Sequence, residues 1–151
     1  MTYKVEIKEI EPIRVAYMKY KGNTTEANKV FPNVFKSIRG KTNGAPLFNY
    51  ISMDMKSKTG VIELCVPTEE NPQGSGVEIK VLPRIKAICV THIGTYDDLA
   101  LAYNEIDRFA EKNNIVLAPP FREIYIKGPG LIFKGNQNKY ITEIQFPIKE
   151  N

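Results

Sequence analysis

The sequence predicts an α+β fold of two pseudo-symmetric strand-helix-strand-strand repeats, with antiparallel sheets, helices on one face and a central cleft. Three observations lead there. First, the chain is written twice. Val61-Ile62-Glu63-Leu64-Cys65-Val66-Pro67 has the pattern of Ile141-Thr142-Glu143-Ile144-Gln145-Phe146-Pro147, with proline four places after glutamate in both. Val5-Glu6-Ile7-Lys8 answers Val77-Glu78-Ile79-Lys80, and Pro12 to Gly22 answers Pro83 to Gly94 with one residue added. Matches in one order mark a duplication, repeat 1 at 3–66 and repeat 2 at 77–147. Second, each copy sets runs of alternating β-branched and aromatic residues around one segment of helical period. Third, a half of about seventy residues is too small to bury a good core alone, because a domain of about 60 residues buries only about 60% of its unfolded surface. The copies are therefore expected to fold together as one domain over 1–151, joined by the polar, turn-rich linker 67–76.

Residues 3–8 and 13–21 read as strands joined near Glu11-Pro12. Asn23-Thr24-Thr25-Glu26 supplies capping residues for a helix whose apolar stripe is Ala27, Val30, Phe31, Val34, Phe35 and Ile38. Pro32 falls inside it and must kink it or start a second segment. Strands 47–54 and 60–66 follow as a hairpin. The second copy repeats the plan with strands 77–82 and 85–93, then a helix over about 96–113. Asp97 and Asp98 favour its positive N-terminal end, and Leu99, Tyr103, Ile106, Phe109 and Ala110 form its buried stripe. Strands 121–127 and 139–147 close the chain, with a turn at 127–130 between them. Sequential strands joined by hairpins make the sheets mainly antiparallel.

Composition narrows the function. Hydrophobic content is 42% and charged content 25%, as in soluble globular proteins. No apolar run approaches the length of a membrane span and no signal peptide is visible, so a cytoplasmic protein without membrane contact is expected. Cys65 and Cys89 lie in apolar strands without a CxxC context and read as buried free thiols. With His92 the only histidine, no metal or other cofactor is expected. The net charge of +4 is spread along the chain, which gives a weak nucleic-acid footprint, and direct DNA binding is not expected.

Glu143 draws attention because it stands mid-strand. Side chains alternate across a strand, so it shares a face with Ile141 and Gln145, opposite Thr142, Ile144 and Phe146. A carboxylate among apolar neighbours costs several kcal/mol of desolvation unless it is paired or lines a wet cavity. Glu63 occupies the same place in the first copy. Two acids in symmetric strands suggest a groove.

Thr91-His92-Ile93-Gly94-Thr95-Tyr96-Asp97-Asp98-Leu99, then Pro120-Phe121-Arg122-Glu123-Ile124-Tyr125, then Tyr140 to Pro147, resemble the GyrI-like family in order and spacing. The resemblance covers essentially the whole chain. That family is the small-molecule-binding domain also found as the effector half of multidrug-sensing regulators of the MerR and AraC types. The resemblance implies paired modules around a cleft for organic, often cationic ligands, with an acid of the last strand, here Glu143, as counter-charge. If Ile124, Ile126, Ile144 and Phe146 pack under the helix, then Glu123, Tyr125, Ile141 and Glu143 face the cleft. The same parity in the first copy adds Val15, Tyr17, Phe48, Tyr50, Val61 and Glu63. His92 falls on the core side, and Tyr96 reads as a helix-entry packing residue. The sequence departs from many relatives in having no tryptophan, so stacking would rest on Tyr and Phe.

Three functions follow. The first is a stand-alone protein that senses or sequesters amphipathic, cationic aromatic small molecules. The second is an enzyme, a hydrolase of reactive electrophiles with Glu143 and Tyr125 as base and acid. The third is a gyrase-inhibitor-like module with a protein partner.

Overall fold

The structure, a computed structural model, describes residues 2–74, 76–129 and 135–150. Ser75 of the linker and Gly130 of the predicted turn lie outside the described residues. The chain runs β1 (Val5–Ile10), β2 (Ile13–Asn23), a 3-10 turn (Thr24–Lys29), α1 (Pro32–Ser37), β3 (Leu47–Asp54) and β4 (Thr59–Pro67). It continues with β5 (Glu78–Leu82), β6 (Ile85–Ile93), a 3-10 turn (Tyr96–Asp98), α2 (Leu99–Lys112), β7 (Phe121–Lys127), a 3-10 turn (Gln137–Lys139) and β8 (Ile141–Pro147). Pro32 starts the second helical segment at a position where its missing N–H costs nothing. The class is α+β, and the strands pair antiparallel.

Two compact units divide the chain. One takes the first ten residues together with the chain from Ile85 onward; the other is Glu11–Arg84. In the first, the strand order is β1-β6-β8-β7; in the second, β3-β4-β2-β5. Pairing within the two seventy-residue stretches is therefore not wholly by hairpins. β1 pairs with β6 rather than with β2, and β5 pairs with β2 rather than with β6. The links explain this. Glu11-Pro12 and Pro83-Arg84 are too short for anything but a two-residue hairpin turn, and such turns want φ > 0 residues such as Asn-Gly, whereas proline fixes φ near −65°. The chain must leave each first strand for a different partner. Asp54 and Thr59 flank a longer link, and there β3 and β4 do form the expected hairpin.

The first unit's core lies between α2 and the sheet. Ala102, Ile106 and Ala110 of α2 meet Ile88, Val90 and Ile144, with Val5, Leu99, Phe109 and Phe146 packed around them. In the second unit, Val34 and Ile38 are buried from α1 and its end, and Phe31 just before α1 sets its ring 5.0 Å from that of Phe48. The linker is held by Arg14, which donates to the carbonyls of Thr68 (2.8 Å) and Glu70 (3.0 Å). Cys65 and Cys89 are free and buried. Burial, with Glu143 nearby, pushes the Cys89 thiol up to about 12. Among the described residues no helix is long and apolar enough to cross a membrane.

Candidate functional site

Register decides which side chains can meet, because residues directly opposite on neighbouring strands share a face. Across β7 and β8, Glu123 pairs with Ile144, Ile124 with Glu143 and Tyr125 with Thr142. Ile144 is in the core under α2, so Glu123 and Tyr125 stand on the helix side. Glu143 and Ile141 stand on the other. The expectation that Glu123, Tyr125, Ile141 and Glu143 line one surface is thus corrected: alternation within each strand was right, but it leaves the register between strands open. A Glu143–Tyr125 acid/base pair is not assembled. In the second unit, Asn49 pairs with Glu63, Phe48 with Leu64, Tyr50 with Ile62 and Tyr17 with Cys65. Glu63 and Tyr17 therefore share the helix-free face, while Phe48 and Tyr50 turn to the side where Phe31 packs.

On the helix-free faces the acids already have cations. Lys8 of β1 donates to Glu143 Oε2 at 2.8 Å, and Gln145 Nε2 to its Oε1 at 2.6 Å. Lys80 of β5 donates to Glu63 Oε2 at 2.7 Å, and Asn49 Nδ2 to its Oε1 at 2.9 Å. Lys80 also lies over the Tyr17 ring, 5.0 Å from its centre. The hydrogen bond to Glu143 raises the Lys8 ammonium above its usual range. For Lys80, burial pulls down, but the bond to Glu63 and its charge outweigh it and the net shift is also upward. Beside Glu143 lies a shallow cavity of about 150 Å³ lined by Lys4, Glu6, Lys8, Cys89, Thr91 and Glu143. Its charges are balanced, two lysines against two glutamates.

The helix side of β7 and β8 is different. Glu123 is buried, 7% exposed, and each of its oxygens accepts a tyrosine hydroxyl: Tyr103 of α2 at 2.5 Å and Tyr125 at 2.7 Å. The Tyr96 ring meets that of Tyr125 edge-on at 5.8 Å and tilts against Tyr140 at 5.2 Å. Burial, then Tyr140, then Glu123 push the Tyr96 phenol up to about 12, so it stays neutral at physiological pH. Two tyrosines thus hold the carboxylate, and two more continue the ring cluster from Tyr125.

Local structure places Tyr96. Gly94 takes φ 138°, a turn conformation that side-chain-bearing residues rarely adopt, and its N–H donates to the Tyr140 carbonyl at 2.8 Å. His92 is fully buried; its Nε2 donates to the Thr95 carbonyl at 2.9 Å, which leaves Nδ1 to accept from the Tyr3 hydroxyl at 2.9 Å. That is the satisfied core histidine the alternation implied. At Gly128 a Cβ would come within 2.7 Å of the Tyr96 hydroxyl, so a larger residue there would displace that ring.

Sequence reasoning missed Tyr103, Tyr140 and Tyr96 as members of this cluster. One signal was available: Tyr103 sits in the apolar stripe of α2, and a buried tyrosine needs a partner for its hydroxyl.

The chain is similar to solved structures over its whole length. The crystal structure of the EcmrR C-terminal domain matches with a TM-score of 0.84 and 28% identity, covering 100% of each chain. In the cryo-EM structure of an EcmrR–DNA complex, at 25% identity and a TM-score of 0.84, 99% of this chain matches 58% of the longer one. SAV2435 bound to tetraphenylphosphonium shares the fold at 16% identity, a TM-score of 0.65, and coverage of 99% and 94%. No curated protein matches. The profile of the GyrI-like small molecule binding domain matches residues 3–149, and the chain belongs to that family.

Proposed function

We propose that the chain binds amphipathic aromatic cations on the helix side of β7 and β8, where Glu123 is the counter-charge and Tyr96, Tyr103, Tyr125 and Tyr140 are the aromatic walls. The observation that carries this is the buried Glu123 carboxylate holding two phenols, with two more phenol rings packed beyond Tyr125, one edge-on and one tilted. A cation over a tyrosine face gains about 0.5 to 2 kcal/mol, more when desolvated. Several such faces, one carboxylate and buried apolar surface together reach the micromolar range, about 8 kcal/mol. The role is to sense or sequester such compounds. Glu143 and Glu63 are assigned instead to holding β1 and β5 in place through Lys8 and Lys80. That the same pair recurs at matching positions supports reading 3–66 and 77–147 as copies.

Tetraphenylphosphonium, which a protein of this fold holds, is a suitable probe. Calorimetric titration is expected to give micromolar binding to the wild type. Glu123→Gln should weaken it by about tenfold or more, the worth of one partly buried ion pair. Glu143→Gln should leave it within about twofold, because that carboxylate faces a lysine of the protein itself. The reverse result would move the counter-charge to the helix-free face.

A further inference from the structure

Thr142 lies on the helix-side face of β8, and its side chain makes no hydrogen bond among the described residues. It is opposite His92 on β6 and opposite Tyr125 on β7. It is fully buried, and its Oγ1 has no hydrogen-bond partner among the described residues. Its neighbours do not serve it. Both ring nitrogens of His92 are used by Tyr3 and Thr95, and the Tyr125 hydroxyl goes to Glu123. Burying a hydroxyl without a partner is costly, and valine would fill nearly the same volume without that cost. Direct cross-strand neighbours have Cβ atoms about 5 Å apart, so the hydroxyl borders the tyrosine cluster at Tyr125.

We infer that Thr142 is the hydrogen-bonding group of the ligand site, and that it selects protonated amines carrying an N–H over fully alkylated cations that carry none. The inference rests on the cation site proposed above. A protonated amine donates its N–H to Thr142 Oγ1 while its charge is met by Glu123. A quaternary ammonium satisfies Glu123 equally but leaves the hydroxyl as it was. A site built around a hydrogen bond discriminates against the analogue that lacks the donor, because the group stays unpaired when that analogue binds.

The test compares a naphthylmethyl dimethylamine, protonated at neutral pH, with its N-methyl quaternary salt. These share the aromatic group and the charge and differ by one N–H against one methyl. Wild type should bind the tertiary amine about tenfold more tightly. Thr142→Val keeps the shape and should bring the two affinities within about twofold, by weakening only the tertiary amine; Thr142→Ser should restore the preference. The unliganded Thr142→Val protein should melt no lower than the wild type. A preference that survives Thr142→Val, or a wild type that has none, overturns the inference. Glu123→Gln separates the two levels: if it weakens both cations while Thr142→Val changes no ratio, the cation site stands and the selectivity falls. If Glu123→Gln affects neither, or neither cation binds the wild type, both fall.

Discussion

Glu143 and Glu123 stand on opposite faces of the same strand pair, and the protein furnishes them with different partners. Glu143 takes an ammonium and an amide, as does its counterpart Glu63; Glu123 takes two phenols. An acid with a lysine at 2.7 or 2.8 Å is an element of the fold, since a ligand cation would have to displace a charge already in contact. We propose that the acid whose two oxygens accept phenol hydroxyls belongs to a ligand site. Burial alone does not separate these roles, because Glu63 and Glu123 are equally hidden, at 6% and 7% exposure. The chemistry of the partner does.

The comparison breaks most sharply at the lysines. Lys80→Met leaves Glu63 buried and uncompensated, and breaking such a pair by removing one partner costs roughly 3 kcal/mol. Urea unfolding should show that loss, and adding Glu63→Gln should recover most of it. Lys8→Met should cost somewhat less, because its pair is the more exposed, at 41% and 14% for Lys8 and Glu143 against 34% and 8% for Lys80 and Glu63, and water screens it more. Equal losses would mean that exposure does not grade the two pairs. The Lys8 ammonium is raised chiefly by its bond to Glu143, so its contribution is complete below the ordinary lysine range. It is lost as pH rises through the higher folded value. Unfolding midpoints followed through alkaline pH should therefore fall less in Lys8→Met than in the wild type.

Glu123 is probed through its phenols. Tyr103→Phe removes one of its two phenol donors, and a hydrogen bond to a charged group is worth about 1.5 to 3 kcal/mol. Helix α2 should stay in place, since Ala102, Ile106 and Ala110 still anchor it. Thermal unfolding of Tyr103→Phe should show the loss, and of Tyr125→Phe a similar one. Indifference to both would mean that the phenols are not what holds the buried carboxylate.

Strand and helix positions were legible because period and punctuation are local. Every expected strand is found, Pro32 restarts its helix, and His92 is on the core side. What was not legible was partnership. Placing Glu123 beside Tyr103 requires the β7–β8 register, which depends on how the chain returns between those strands and not on alternation within either. The links Glu11-Pro12 and Pro83-Arg84 did carry a warning against hairpins, and Lys8 and Lys80 matched between the copies as plainly as Glu143 and Glu63 did. Matched opposite charges in a duplicated chain point to a structural pair kept twice. Glu123 has no such counterpart, since its place opposite Ile144 corresponds to Phe48 opposite Leu64. That asymmetry is one ground for proposing Glu123 as the ligand's counter-charge.

Tyr96 gives the finest reading of the cluster. Its phenol is raised from 10.0 to about 12, by burial first, then by Tyr140, then by Glu123. A group whose folded pKa lies above its unfolded one contributes stability that is complete below the unfolded value. That stability disappears as pH rises through the window, here from about 10 to about 12. Ultraviolet titration of the phenolates should therefore show a late component near pH 12. Tyr96→Phe should reduce it and flatten the fall in stability across that window. Because Glu123 is the last of the three causes, Glu123→Gln should shift the late component only slightly downward. A bound aromatic cation should lower it further, since a positive charge against the Tyr96 ring stabilises the phenolate. If saturating tetraphenylphosphonium leaves the Tyr96 titration where it was, the cation does not enter the tyrosine cluster, whatever its affinity for the protein. If Glu123→Gln alone returns Tyr96 to the ordinary range, then the charge of Glu123 rather than burial governs the cluster, and the helix-side face is as wet as the one carrying Glu143.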